Sequence, residues 1–152
     1  MRTIVILMVL SIFSCKEKVT SPSLETVNQD DVITMSSISN YDSISNLVKT
    51  KGDTLAYNEL FYHLKDSDKI SRTDTLMYFS KIMAERFNNK HAYIDYFEAL
   101  CEKYDIEVDF SNYSSINISS MDKSSKQKAE NWLKKMLEKN IISKEQFDSI
   151  KK

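Results

Sequence analysis

A chain of 152 residues with one glycine and one proline has few places where it can turn sharply. Hairpins and bulges use glycine wherever φ must be positive, and a β-protein needs many of them. Helix interiors need neither residue, so the scarcity predicts an all-α fold. It also excludes glycine-rich nucleotide turns, because the only glycine is Gly52.

Hydrophobic spacing agrees from Tyr41 onward. Ile44, Leu47 and Val48 predict a short first helix ending at Gly52, which accepts the left-handed φ of a helix C-terminus. Asp53 is placed to cap a second helix, in which Tyr57, Leu60, Phe61 and Leu64 fall at i, i+3, i+4 and i+7. Asp66-Ser67-Asp68 interrupts. A third helix is predicted from about Asp74 to Phe87, with Leu76, Phe79, Met83 and Phe87 on one face. After Asn88-Asn89 a fourth carries Tyr93, Tyr96, Phe97 and Leu100. Between Asp105 and Ser120, Ile106, Val108, Phe110, Ile116 and Ile118 alternate with polar neighbours, which fits either a long loop or a small hairpin. A fifth helix, from about Asp122 to Lys139, turns Ala129, Trp132, Leu133, Met136 and Leu137 to the core. Ser143-Lys144-Glu145-Gln146 has capping-box spacing and opens a short last helix with Phe147 and Ile150.

The first residues have another character. Met1-Arg2-Thr3 leads into the apolar run Ile4 to Phe13, closed by Ser14-Cys15. A charged start, a short apolar core and a small residue at the cleavage point make a secretory signal. The run is too short for a membrane span, which needs about 20 residues. Ile12-Phe13-Ser14-Cys15 resembles the lipobox of bacterial lipoproteins. That resemblance implies that residues 1–14 are a signal peptide and that the Cys15 thiol receives a diacylglyceryl group. The expected location is the cell envelope of a Gram-negative bacterium, lipid-anchored, with the outer membrane as the expected membrane and its periplasmic or surface face left open. Residues 15–40 are polar, rich in Ser and Thr and hold Pro22, as expected of a flexible tether, which leaves 41–152 as the folded domain.

Without residues 1–14 the chain has 138 residues, enough for one domain with a core. It keeps 20 Lys and Arg against 22 Asp and Glu, a balance that gives no case for nucleic acid as partner. With Cys15 alkylated, Cys101 has no disulfide partner. Beside Leu100 and Tyr104 on an apolar stripe, it reads as a small core residue.

Ala56-Tyr57 with Leu60, Phe61 and Leu64 lies 36 positions before Ala92-Tyr93 with Tyr96, Phe97 and Leu100. A period in the thirties is the length of a helix pair in a solenoid. Gly52-Asp53-x-x-Ala56-x-Asn58-x-Leu60 resembles the opening of a Sel-one-like repeat, a relative of the tetratricopeptide repeat. Ala129-x-x-Trp132-Leu133-x-Lys135-Met136-Leu137-Glu138-x-Asn140 is similar to the second helix of that repeat, and Tyr78-Phe79-x-Lys81-Ile82-Met83 follows it more loosely. The resemblance implies a short right-handed helical-repeat array of about five to six helices. Leu137-x-x-Asn140-Ile141-Ile142-Ser143-x-Glu145-Gln146-Phe147 also resembles a short C-terminal domain of the SHOCT type, and both resemblances imply a helix, a tight turn and a short capped helix there.

Catalytic patterns are missing from the sequence. His63 and His91 have no Cys, Asp or Glu at a recognised ligand spacing, so neither a metal nor another cofactor is expected. Asp66-x-Asp68 begins like a calcium loop, but Ile70 and Ser71 stand where an acidic ligand and a glycine are required. No motif-borne nucleophile accompanies either histidine. Tyr57, Tyr62, Tyr78, Tyr93, Tyr96 and Tyr104 crowd into two helix pairs. Core packing accounts for them if their hydroxyls reach the rim. The functional alternative is a concave aromatic surface along the first helices of the repeats, with Tyr57, Tyr62, Tyr93 and Tyr96 touching a partner. The expected function is therefore non-enzymatic: a membrane-anchored interaction module for an envelope protein, as a scaffold or an immunity-type binder. Competing readings are a small envelope enzyme or hydrolase accessory, and a self-associating structural lipoprotein.

Overall fold

The computed structural model describes residues 40–152. The signal peptide expected over 1–14, Cys15 and the tether expected up to residue 39 lie outside the described residues. Six α-helices follow one another: α1 (Tyr41–Lys51), α2 (Thr54–Lys65), α3 (Lys69–Phe87), α4 (Lys90–Lys103), α5 (Lys123–Glu138) and α6 (Lys144–Ser149). A 3-10 turn, Tyr113–Ser115, lies between α4 and α5, and the described residues contain no β-strand. The fold is all-α. None of these helices is long and apolar enough to cross a membrane.

Short polar side chains set the helix boundaries. Asn40, the last residue assigned to the tether, already caps α1 by accepting from Ser43 N–H at 3.1 Å. Gly52 closes that helix at φ 62°, and its N–H returns to the Val48 carbonyl at 3.2 Å. A side chain at Gly52 would be strained by this φ and would overlap the ring of Phe87. Asp53 caps α2 through Ala56 N–H at 3.0 Å. Asn88 ends α3 in the left-handed region, and Asn89 caps α4 through Ala92 N–H. Asp122 caps α5, and Ser143 with Gln146 forms the capping box of α6.

One boundary differs from expectation. Helix α3 begins at Lys69, not near Asp74, because Asp68 accepts from the N–H groups of Ile70 and Ser71. Arg72, within this added turn, ties it to its neighbours. Its guanidinium donates to the carbonyls of Lys65 at 2.6 Å and Ser67 at 2.8 Å, where α2 ends, and pairs with Glu102 on α4.

Helices α3 and α4 form the most extensive pair. Ala84 on α3 and Ala92 and Ala99 on α4 are buried, and such small side chains let two backbones approach closely. Helix α1 packs on both α2 and α3, while α5 packs on α4. The core runs through Leu60, Leu76, Met83, Phe97, Leu100, Leu133 and Met136. Segment 105–120 is a loop and not a hairpin, yet its alternation has a cause: Ile116 and Ile118 are buried while Asn117 between them is exposed. Their pairing partner is distant in sequence. Ile118 N–H donates to the Lys151 carbonyl at 2.9 Å and Lys151 N–H to the Ile116 carbonyl at 3.0 Å, a two-rung parallel bridge.

Candidate functional site

The tyrosines expected to form one surface are divided. Tyr57, Tyr93 and Tyr96 are only 1%, 3% and 6% exposed, whereas Tyr62 is 70% exposed. No common face along α2 and α4 therefore assembles from the four. The reason is the central place of α4, which is covered by α3, α5 and side chains of α2. Trp132 of α5 stacks on Tyr96 with ring centroids 3.9 Å apart, and its indole N–H donates to the Tyr93 carbonyl at 2.8 Å.

Tyr57 belongs to a buried polar centre instead. Its hydroxyl donates to Asp95 Oδ2 at 2.7 Å and lies 2.8 Å from Ser80 Oγ, joining α2, α3 and α4. His91 Nε2 is 3.4 Å from Asp95 Oδ1, a pairing one helical turn apart that the sequence search for metal spacings passed over. Burial pushes the Asp95 carboxyl above the ordinary carboxylate range, against the opposing effects of the Tyr57 hydrogen bond and His91. Burial, followed by the Asp95 charge, also raises the Tyr57 hydroxyl. Tyr57, Ser80 and Asp95 are all buried, so a substrate would have no contact with them. Their physical role is to fix how three helices meet.

This centre makes stability depend on pH with a definite sign. Because the folded pKa of Asp95 is raised, its contribution is fully present below an unfolded carboxyl pKa of about 4 and is lost as pH rises through the folded value. Asp68, Asp109 and Asp122 act in the opposite sense, since hydrogen bonds hold their carboxyls low. The difference between wild type and Asp95→Asn isolates the buried group, because Asn still accepts from Tyr57 but cannot ionise. Urea midpoints should move in favour of the variant as pH rises from about 4 to 7. A pH-independent difference would contradict the raised carboxyl.

Cys101 is fully buried, and burial pushes its thiol up to about 12, so it stays protonated and unreactive at neutral pH. No group of three or more His, Cys, Asp or Glu side chains is arranged to hold a metal among the described residues.

Open geometry lies on either side of α3. On one side is a groove of about 410 Å³ between α1 and α3, lined by Tyr41, Asp42, Ser45, Lys49, Tyr78 and Phe79 among others. Tyr41 is 40% and Tyr78 53% exposed, while the ring of buried Phe79 meets Tyr78 edge-on at 5.1 Å. On the other side, a groove of about 310 Å³ has Tyr96 and Trp132 beneath Lys81, Lys128 and Lys135. Sequence reasoning counted Tyr78 among the crowded tyrosines but did not assign it to the surface. The available signal was its place off the Leu76, Phe79 and Met83 stripe, about 200° around the helix from Leu76.

No family model matches the chain, and neither does any curated protein or solved structure.

Proposed function

We propose that this chain is a lipid-anchored lipoprotein of the bacterial envelope whose helical domain binds another protein, as a scaffold or an immunity-type binder, and that it is not an enzyme. The supporting observation is the groove between α1 and α3, where two half-exposed tyrosines stand over an aromatic floor. Tyr contributes large contact area, loses little side-chain entropy and carries a hydrogen-bonding tip, which suits it to interface centres. Asp42, Asp74 and Lys49 around the groove supply the polar rim that such a centre needs. The repeat resemblance gives the same class, since helical arrays commonly work as binding surfaces.

Affinity capture from the native envelope tests this reading with Tyr78→Ala and Tyr62→Ala. Tyr62 is the control, being exposed on α2 away from the groove. A specific partner should be retained by wild type and Tyr62→Ala but bound at least about tenfold more weakly by Tyr78→Ala, as for an interface hot spot. Retention of every partner by Tyr78→Ala would remove the groove from consideration. Turnover of an envelope substrate by the purified domain would overturn the class.

A further inference from the structure

We propose that the solvent face of α5 is a docking surface for an anionic phospholipid bilayer. This rests on the anchored reading, because the bilayer concerned is the one the lipid on Cys15 would enter. Charge is segregated along the described chain. Residues 40–120 hold nine Lys and Arg against thirteen Asp and Glu, whereas residues 121–152 hold nine Lys against five. Within α5, Lys123, Lys128, Lys134 and Lys135 are exposed, with Glu138 the single exposed acid. Lys139 continues the basic face at the C-cap. Lys135 pairs with Glu85 of α3, but among the described residues no acidic side chain pairs with Lys123, Lys128, Lys134 or Lys139. Lys81 lines the same groove from α3 and, like Lys135, pairs with Glu85.

Two observations favour lipid over an acidic protein. First, α5 carries none of the large exposed apolar residues, which are Tyr41, Leu55, Tyr62, Ile70 and Tyr78. A protein interface needs an apolar centre and its core is poor in lysine, whereas attraction to anionic headgroups needs only the charge. Second, the reach is short. If the polar stretch before α1 acts as the expected tether, its 25 residues, 16–40, would reach only about 25–30 Å, which would keep the domain at high effective concentration beside the bilayer. Each lysine brought to the surface then raises partitioning about fivefold, an effect screened by salt.

Sedimentation with vesicles is the test, using the full chain and its Lys128→Glu/Lys134→Glu variant. One set of vesicles is pure phosphatidylcholine and the other contains phosphatidylglycerol. Both chains share the same apolar N-terminal run, so neutral vesicles measure its contribution alone. On anionic vesicles at low salt the variant should partition at least about 25-fold more weakly than wild type, and about 0.5 M salt should erase the difference. Lys128→Gln/Lys134→Gln should fall between the two. Equal partitioning of wild type and variant on anionic vesicles overturns the proposal, as does equal wild-type partitioning on neutral and anionic vesicles. So does loss of an acidic protein partner by the variant without loss of vesicle binding. Failure of the anchor itself would appear separately, as absent lipid labelling at Cys15.

Discussion

Truncating Phe97 to alanine will lower the stability of the domain by about 3–5 kcal/mol, the range for emptying a well-packed aromatic site. Phe97 is fully buried on α4. The cost depends on whether the site can collapse, and here the surroundings are held in place. On α4 itself, Asp95 is tied to Tyr57 of α2, and Tyr96 is stacked against Trp132 of α5. A small domain has a total stability of about 5–15 kcal/mol, so this loss would be a large fraction of the whole. Urea denaturation followed by far-ultraviolet circular dichroism gives the value. Phe61→Ala, at a half-buried position of α2, should cost clearly less. A loss below about 1 kcal/mol at Phe97 would mean that α4 does not occupy the centre of the core.

Replacing Cys15 with serine will abolish the processed, membrane-retained form. The lipobox resemblance requires a thioether to diacylglycerol before the signal is cut, and a serine hydroxyl, with a pKa far above that of a thiol, is not a substitute nucleophile. Several acyl chains hold a protein on a bilayer far more firmly than one, because each buried methylene adds about 0.8 kcal/mol. The measurement is incorporation of labelled palmitate together with the size of the product in the membrane fraction. An unmodified precursor is the expected result. Normal processing, labelling and retention of Cys15→Ser would sink the lipoprotein reading and leave the helical domain untouched.

The helix ends were the most legible part of the fold because their causes are local. Gly52, Asp53 and Ser143 each act within four residues of themselves, and each has the predicted cap role. The start of α3 was not legible, since Lys69 to Thr73 has no strong apolar period and depends on Asp68 before it and on Arg72 reaching α2 and α4. The alternation at Ile116 and Ile118 was visible, but its partner at Lys151 is remote in sequence. The site was read least well. Helical spacing separates an inner from an outer face but does not count how many neighbours cover a helix, so the aromatic residues of α4 were assigned to a surface that α5 closes. Asp95 is the sharper case. One carboxylate within Tyr93-Ile94-Asp95-Tyr96-Phe97 looks like the edge of a stripe, and its satisfying hydroxyl comes from another helix.

The groove between α1 and α3 has a mechanical consequence. If the domain is anchored through its N-terminus as proposed, a pull from the membrane would enter it at Asn40, the cap of α1. A partner seated on Tyr41 and Tyr78 would grip that same helix and its neighbour. Tension arriving through the N-terminal chain would then pass from α1 across to α3 and on to the partner without loading α6 or the bridge at Lys151. The packing of α1 on α2 and α3, not the stability of the whole domain, would set the force at which such a tether gives way.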